Sequence, residues 1–276
     1  CRDNAPMLPD PALLHACLAR ARQPLPQGWL RLTLGEQALG WLAPERAELL
    51  RVHWPQLRRG PLGLSWPAAE AAPAARSASI QAVAERLAAT GLISGWRNEA
   101  YACEAPGTDP LHVQGAELFR LERAAFRFFG LMSRAVHINA RWPDGRMLCG
   151  RRALAKATDP GALDNLAAGG LPAGEGLLDC ARRELWEEAG VPAALSRALR
   201  PCGALRSTRV EPEGLHDEIL HVFELQLPAG FSPRNQDGEV SEFLALDAAE
   251  LQARLAAGEF SPDAASVIAY GLLRGA

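Results

Sequence analysis

Glu184, Glu187 and Glu188 follow Arg182 and Arg183 directly in GGLPAGEGLLDCARRELWEEAGV, residues 169–191. On a helix, acids three and four apart repel by a few tenths of a kcal/mol per pair unless a cation stands between them. With 177–189 placed on a helix, Leu178, Ala181 and Leu185 form one apolar stripe. The glutamates then fall off that stripe and converge on one patch. Converging carboxylates suit a hard divalent cation, which takes oxygen ligands and is typically shared with substrate phosphates. That chemistry points to a diphosphate. The glycines of the approach, Gly169, Gly170 and Gly174, let the backbone bend tightly, and Gly190 can stop the helix. Arg183 can bridge forward to Glu187 or back to Glu175, and either pairing holds loop and helix in one geometry.

The chain around this stretch has 276 residues, enough for two domains with real cores. Apolar residues make up 48% and charged residues 22%, an ordinary globular composition. A net charge of -3 carries no nucleic-acid signature. No apolar run approaches the roughly 18 to 20 residues that span a bilayer, and CRDNAPMLPDP at the start lacks a signal peptide's apolar centre. A cytoplasmic protein with no membrane or nucleic-acid partner is expected. The six cysteines are scattered without a CxxC, which suggests neither a zinc site nor a disulfide framework. Lys156 is the only lysine among 29 basic residues.

Several elements are legible. DPALLHACLARA, residues 10–21, reads as a helix after an Asp-Pro start. WLRLTL and ALGWL flank a turn at Gly35-Glu36-Gln37, and Pro44 opens the helical run PERAELLRVHW. Arg58 to Ser77 reads as a loop, SIQAVAERLAATG as a helix closed by Gly91, and WRNEAYACEA as a strand. From Ala105 to Gln114 the chain becomes loop-like, so a boundary is placed near residue 117, with a small α+β domain at 1–117 and a second domain at 118–276. In the second, AVHINARW and RMLCGRR bracket Pro143-Asp144-Gly145, which has the chemistry of a hairpin turn. ILHVFELQL and EFLALD read as strands, DAAELQARLAAG and SPDAASVIAYGLLRG as helices. The fold class is α/β, with a mixed order of elements.

Gly169, five residues, Glu175, seven residues, Arg183-Glu184-Leu185, one residue, Glu187-Glu188, one residue and Gly190-Val191 match every defined position of the Nudix box. On these residues the chain resembles a Nudix hydrolase. The resemblance implies a mixed β-sheet between helices, with Mg²⁺ or Mn²⁺ held by Glu184, Glu187 and Glu188. Glu184 or a later carboxylate would activate water, with Arg183 and Glu175 orienting the others. Glu218 and Glu239 are candidates for that later carboxylate, or else exposed strand-end acids. FFGLMSRAVHINARW and GRRALAKATDPGALDNLAAGG are similar to the subfamily related to the Nudix portion joined to thiamine pyrophosphokinase in some fungal proteins, which carries a small extra N-terminal domain. That similarity implies metabolite cleansing, with thiamine diphosphate or its oxidised analogues hydrolysed to the monophosphate. Ala135 and Ala140 depart from the glycines usual there. Lys156 reads as a phosphate contact or a solvated loop lysine, and Asn165 as positioning the loop before the box or capping a turn. The competing expectations are a nucleotide-linked diphosphate (ADP-ribose, a nucleotide sugar, a dinucleotide) and a non-catalytic binding module on the same fold.

Overall fold

Asp10 caps the first helix by accepting the Ala12 N–H at 2.9 Å, and Pro11 takes a position whose missing N–H costs nothing, so α1 runs Pro11–Ala21. The computed structural model describes residues 9–107, 109, 111, 114–156 and 158–275. Most of the stretch read for a leader, and part of the loop-like stretch between Ala105 and Gln114, therefore lie outside the described residues.

The hairpin expected next forms as β1 (Leu30–Leu34) and β2 (Gln37–Leu42), and Pro44 opens α2 (Pro44–His53). The stretch from Arg58 to Ser77 is not the expected loop. It holds β3 (Arg58–Gly60), β4 (Gly63–Trp66) and the first turn of α3 (Pro73–Ala89). Backbone pairing decides this: β4 lies parallel to β1, so close that a Cβ on Gly63 would stand 2.2 Å from the Arg31 carbonyl oxygen. Glycine, which reads as a loop residue, is what admits the strand. These strands make a sheet ordered β2-β1-β4-β3.

Next come β5 (Ala100–Glu104), β6 (Glu117–Glu122) and α4 (Arg123–Phe129). The division expected near residue 117 falls between β5 and β6, which pair antiparallel. Leu118, Phe119, Phe126, Phe129 and Leu131 are buried in one core with Leu32, Trp54, Trp66 and Ile80. By contrast, Leu14 and Cys17 of α1 pack far along the chain against Leu251, Leu255 and Ile268.

The remaining elements are β7 (Ser133–Arg141), β8 (Met147–Arg152), β9 (Leu163–Asp164), β10 (Ala167–Gly170), α5 (Leu177–Ala189), α6 (Ala193–Ser196), β11 (Arg200–Glu211), β12 (Gly214–Gln226), β13 (Val240–Leu246), α7 (Ala248–Ala257) and α8 (Pro262–Arg274). Their sheet is ordered β11-β12-β7-β8-β13, with β10 on β7 and β9 on β8. It is mixed: β12 and β7 run parallel from Glu218↔Ser133 to Gln226↔Arg141, while β11 and β12 run antiparallel. Strand alternation sends Val136, Ile138, Phe223 and Leu225 to the α5 face, and Ala135, Leu220 and Val222 to Val267 of α8. The sheet thus lies between helices. Among the described residues no helix is long and apolar enough to cross a membrane. Cys17, Cys103, Cys149 and Cys180 are buried free thiols, and Cys202 is half-buried.

Candidate active site on the glutamate helix

Helix α5 ends where its sequence says it should. Gly190 adopts a left-handed φ of 65°, and its N–H and that of Val191 bond back to Trp186 and Leu185 at 2.9 and 3.0 Å. The packed face differs from the expected stripe. Leu178 is 38% exposed. The buried face is Cys180, Ala181, Glu184, Leu185, Glu188 and Ala189. Glu184 and Glu188 therefore lie on the packed face itself, at 8% and 6% exposure, and only Glu187 stands clear of it.

Arg183 makes both pairings that the sequence allowed, and one more. Its Nε and Nη2 donate to Glu175 Oε1 and Oε2 at 3.0 and 2.9 Å, a bidentate fork, while Nη1 donates to Glu184 at 2.7 Å and Glu187 at 3.0 Å. The fork holds the Glu175 carboxyl below its usual range. Glu188 accepts the Ala168 N–H at 2.9 Å and lies 3.8 Å from Lys156 Nζ, which itself donates to Glu239. Burial pushes the Glu184 carboxyl up to about 7, against the pull of Arg183. Burial likewise raises Glu188 well above the carboxylate range, with Lys156 opposing. Glu239, despite its own partial burial, is held below that range by Lys156.

Gly169 and Gly170 do not make the bend read from the sequence. Both lie on β10, and both are small because something else occupies the space of a side chain. A Cβ on Gly169 would stand 2.0 Å from Glu184 Oε1, and one on Gly170 would stand 1.6 Å from the Tyr101 hydroxyl. Glu184 can swing away, so Gly169→Ala is expected to cost little stability while moving the carboxylate off station. A misplacement of about 1 Å costs on the order of a hundredfold in rate. Thermal melts and metal-dependent turnover of this variant separate the two effects. Wild-type turnover would contradict the placement of Glu184.

Glu184 and Glu187 border a cavity of about 550 Å³. Glu184, Glu187, Arg183, Lys156 and Glu239 line one side, and Arg97, Glu99, Tyr101, Arg123 and Phe126 from the preceding elements line another. The structure thus brings Lys156 and Glu239 to the box glutamates. Asn165 stands elsewhere: it is buried, pairs with His137 Nδ1 at 2.8 Å and donates to Asn139 at 2.7 Å, inside a network that reaches Glu224. Glu218 accepts from Ser133 Oγ at 2.7 Å. Arg97, Glu99, Arg123 and Phe126 carry no sequence signal. They reach the cavity because β5 leads into β6 and α4 across paired backbone.

The donor set tests whether a divalent ion fits. Two buried carboxylates, whose ionised form burial disfavours, with Glu187 beside them, offer only oxygen ligands, which suits Mg²⁺ or Mn²⁺. Drawn toward Arg183 and Lys156, these glutamates are not gathered within 4.8 Å of one another; among the described residues the group so gathered is His216, Glu218 and Asp263. A stability effect follows. The folded protein holds the Glu184 proton to about pH 7, against 4.5 for an unperturbed glutamate, so metal-free stability falls as pH rises through that window. Mg²⁺ binds the ionised form, so its gain in Tm should be large near about pH 8 and small near about pH 5. An equal gain at both pH values would count against these carboxylates as the ligands.

Comparison with known proteins gives two family matches, a NUDIX domain at residues 132–266 and a domain of unknown function, DUF4743, at residues 17–133. "Nudix hydrolase 24, chloroplastic" of Arabidopsis thaliana is 33% identical over 204 residues, covering 73% of this chain and 54% of that protein. "Nudix hydrolase 20, chloroplastic" of the same plant is 35% identical over 182 residues, covering 65% of this chain and 47% of that protein. The chain therefore spans about half the length of these two curated relatives. An uncharacterized Nudix hydrolase of Streptomyces coelicolor is 35% identical over 150 residues, covering 52% of this chain and 75% of that protein.

Proposed function

This chain belongs to the Nudix family, and from that premise we propose that it is a metal-dependent pyrophosphohydrolase cleaving a small-molecule diphosphate beside α5. One observation carries the reading: all three box glutamates are kept, with Glu184 and Glu187 lining the cavity and Glu188 buried next to Lys156. Binding-only modules on this fold often lose box carboxylates, and here all three remain. Glu184, Glu187 and Glu188 are the residues that would hold Mg²⁺ or Mn²⁺. A divalent ion there supplies charge neutralisation for the diphosphate and acidifies water. Arg183 and Glu175 orient the ligands. Lys156 offers a point charge to phosphate and keeps Glu239 ionised, and Glu239 is the later carboxylate that takes a proton from the attacking water. Glu239 is preferred to Glu218 for that step because Lys156 ties it directly to the box glutamates, whereas Glu218 accepts from Ser133 Oγ.

The organic half of the substrate faces Tyr101 and Phe126. A thiamine-type group is the first reading, with Glu99 and Glu218 lining the same cavity as Tyr101 and Phe126 and offering negative charge to a cationic ring. A nucleotide-linked diphosphate such as ADP-ribose, a nucleotide sugar or a dinucleotide is the second. Arg97 and Arg123 on the same wall favour it, since planar guanidinium groups stack on bases and pair with phosphate. The test is a panel of thiamine diphosphate, its oxo and oxy analogues, ADP-ribose, a nucleotide sugar and a nucleoside triphosphate, incubated with Mg²⁺ or Mn²⁺ and followed by chromatography. Monophosphate from the thiamine group alone supports the first reading, and turnover confined to nucleotides replaces it with the second. Tight binding without turnover of any compound would overturn the enzyme reading.

A further inference from the structure

A second group of ligand-bearing side chains stands apart from α5. Strand alternation puts His216 and Glu218 of β12 on the α8 face, with Leu220 and Val222. Asp263 meets them there from the first turn of α8, which Ser261 caps by accepting the Ala264 N–H at 3.2 Å. The His216 side chain is 3% exposed, and its Nε2 has no hydrogen-bond partner. That nitrogen lies within ion-pair distance of Asp263 Oδ2, at 3.2 Å, without a well-formed hydrogen bond to it, and at 3.9 Å Glu218 Oε2 is beyond hydrogen-bond reach. A buried polar atom left unmatched costs about 1–3 kcal/mol, so its position calls for a further partner.

Both carboxylates are already held in place. Ser133 Oγ donates to Glu218 Oε1 at 2.7 Å, which leaves Oε2 turned toward the imidazole. Arg209 donates to Asp263 Oδ1 and Oδ2 at 2.7 and 3.1 Å, with Glu211 on its Nε. Such outer partners are what orient ligands around a bound ion. The three ligand atoms lie within 4.8 Å of one another. Ligands about 2.0–2.2 Å from one ion are separated by up to about 4.4 Å, so a small contraction completes the site. All three residues border the cavity, which gives an ion entry and water for its remaining positions.

We propose that His216, Glu218 and Asp263 form a second cation site, distinct from the box glutamates, for a first-row transition divalent ion such as Zn²⁺, Mn²⁺ or Co²⁺. The imidazole nitrogen sets the preference, because Mg²⁺ favours oxygen ligands and sheds its waters reluctantly. With excess Mg²⁺ present to fill the α5 carboxylates, the whole chain should still bind a single Co²⁺, seen by its visible absorption. His216→Phe and Asp263→Asn should each weaken that binding by at least about tenfold. Glu187→Gln with Glu188→Gln should leave it intact. Wild-type crystals soaked in Mn²⁺ should show an anomalous peak between His216 Nε2 and the two carboxylates, which decides the matter if the His216 variant does not fold. Absence of Mg²⁺-resistant Co²⁺ binding, its survival in a folded His216 variant, its loss in the box variant, or no peak at His216 would each overturn the proposal.

Discussion

Glu187→Gln combined with Glu188→Gln lowers metal-dependent turnover by on the order of a thousandfold, while the metal-free protein keeps its Tm or gains slightly. The rate follows from the charge removed. A metal's stabilisation of developing charge is worth several kcal/mol, and each 1.36 kcal/mol is tenfold in rate. The stability follows from burial, which holds Glu188 well above the carboxylate range, so Gln replaces a carboxyl whose ionised form the metal-free fold already disfavours. Glutamine keeps an oxygen to accept the Ala168 N–H, and Lys156 keeps Glu239. At Glu187, whose side chain is 39% exposed, the amide oxygen can still accept from Arg183. Turnover assays beside thermal melts give both quantities. A large drop in Tm would make the loss of turnover a folding effect and weaken the site assignment.

Arg183→Met has the second large effect, and it acts on stability as well as rate. The guanidinium is the shared partner of Glu175, Glu184 and Glu187, and methionine leaves those carboxylates facing one another. Hydrogen bonds to charged groups are worth about 1.5–3 kcal/mol each, but the arginine side chain is 33% exposed and solvent screens part of that. A net loss of about 2–3 kcal/mol is expected in urea unfolding of the metal-free protein. Mg²⁺ should restore part of it by binding the released carboxylates, whereas turnover falls on the order of a hundredfold as their orientation is lost. Arg183→Lys should fall between, because an ammonium cannot make the two-pronged contact with Glu175. Stability within about 0.5 kcal/mol of wild type in Arg183→Met would mean that the fork does not hold loop and helix together.

How much of this was legible in the sequence depended on whether the signal was local. Helix α5, its stop at Gly190 and the pairing of Arg183 with Glu175 and Glu187 lie within one turn or one loop, and spacing alone exposed them. The Pro143-Asp144-Gly145 hairpin was equally local. Signals that need a distant partner were lost. Gly169 and Gly170 read as bend residues, yet they are small because Glu184 and the Tyr101 hydroxyl take up the room. Strand β11 has little apolar alternation and exists through its ladder with β12. Helix α1 is legible from its own residues, but only the fold shows that Leu14 and Cys17 belong to the core around Ile268. His216 and Asp263 meet only because the register of β12 faces the start of α8.

If the box carboxylates hold the metal that cleaves the diphosphate, turnover must depend on both the ion and those side chains. The most direct test compares wild type with the Glu187→Gln, Glu188→Gln double variant on the diphosphate turned over fastest, in Mg²⁺ and again after chelation. Wild type with Mg²⁺ should release monophosphate, and neither chelated wild type nor the folded double variant should release any above background. Product formation that persists in chelator, or that continues at the wild-type rate in the double variant, would contradict that dependence.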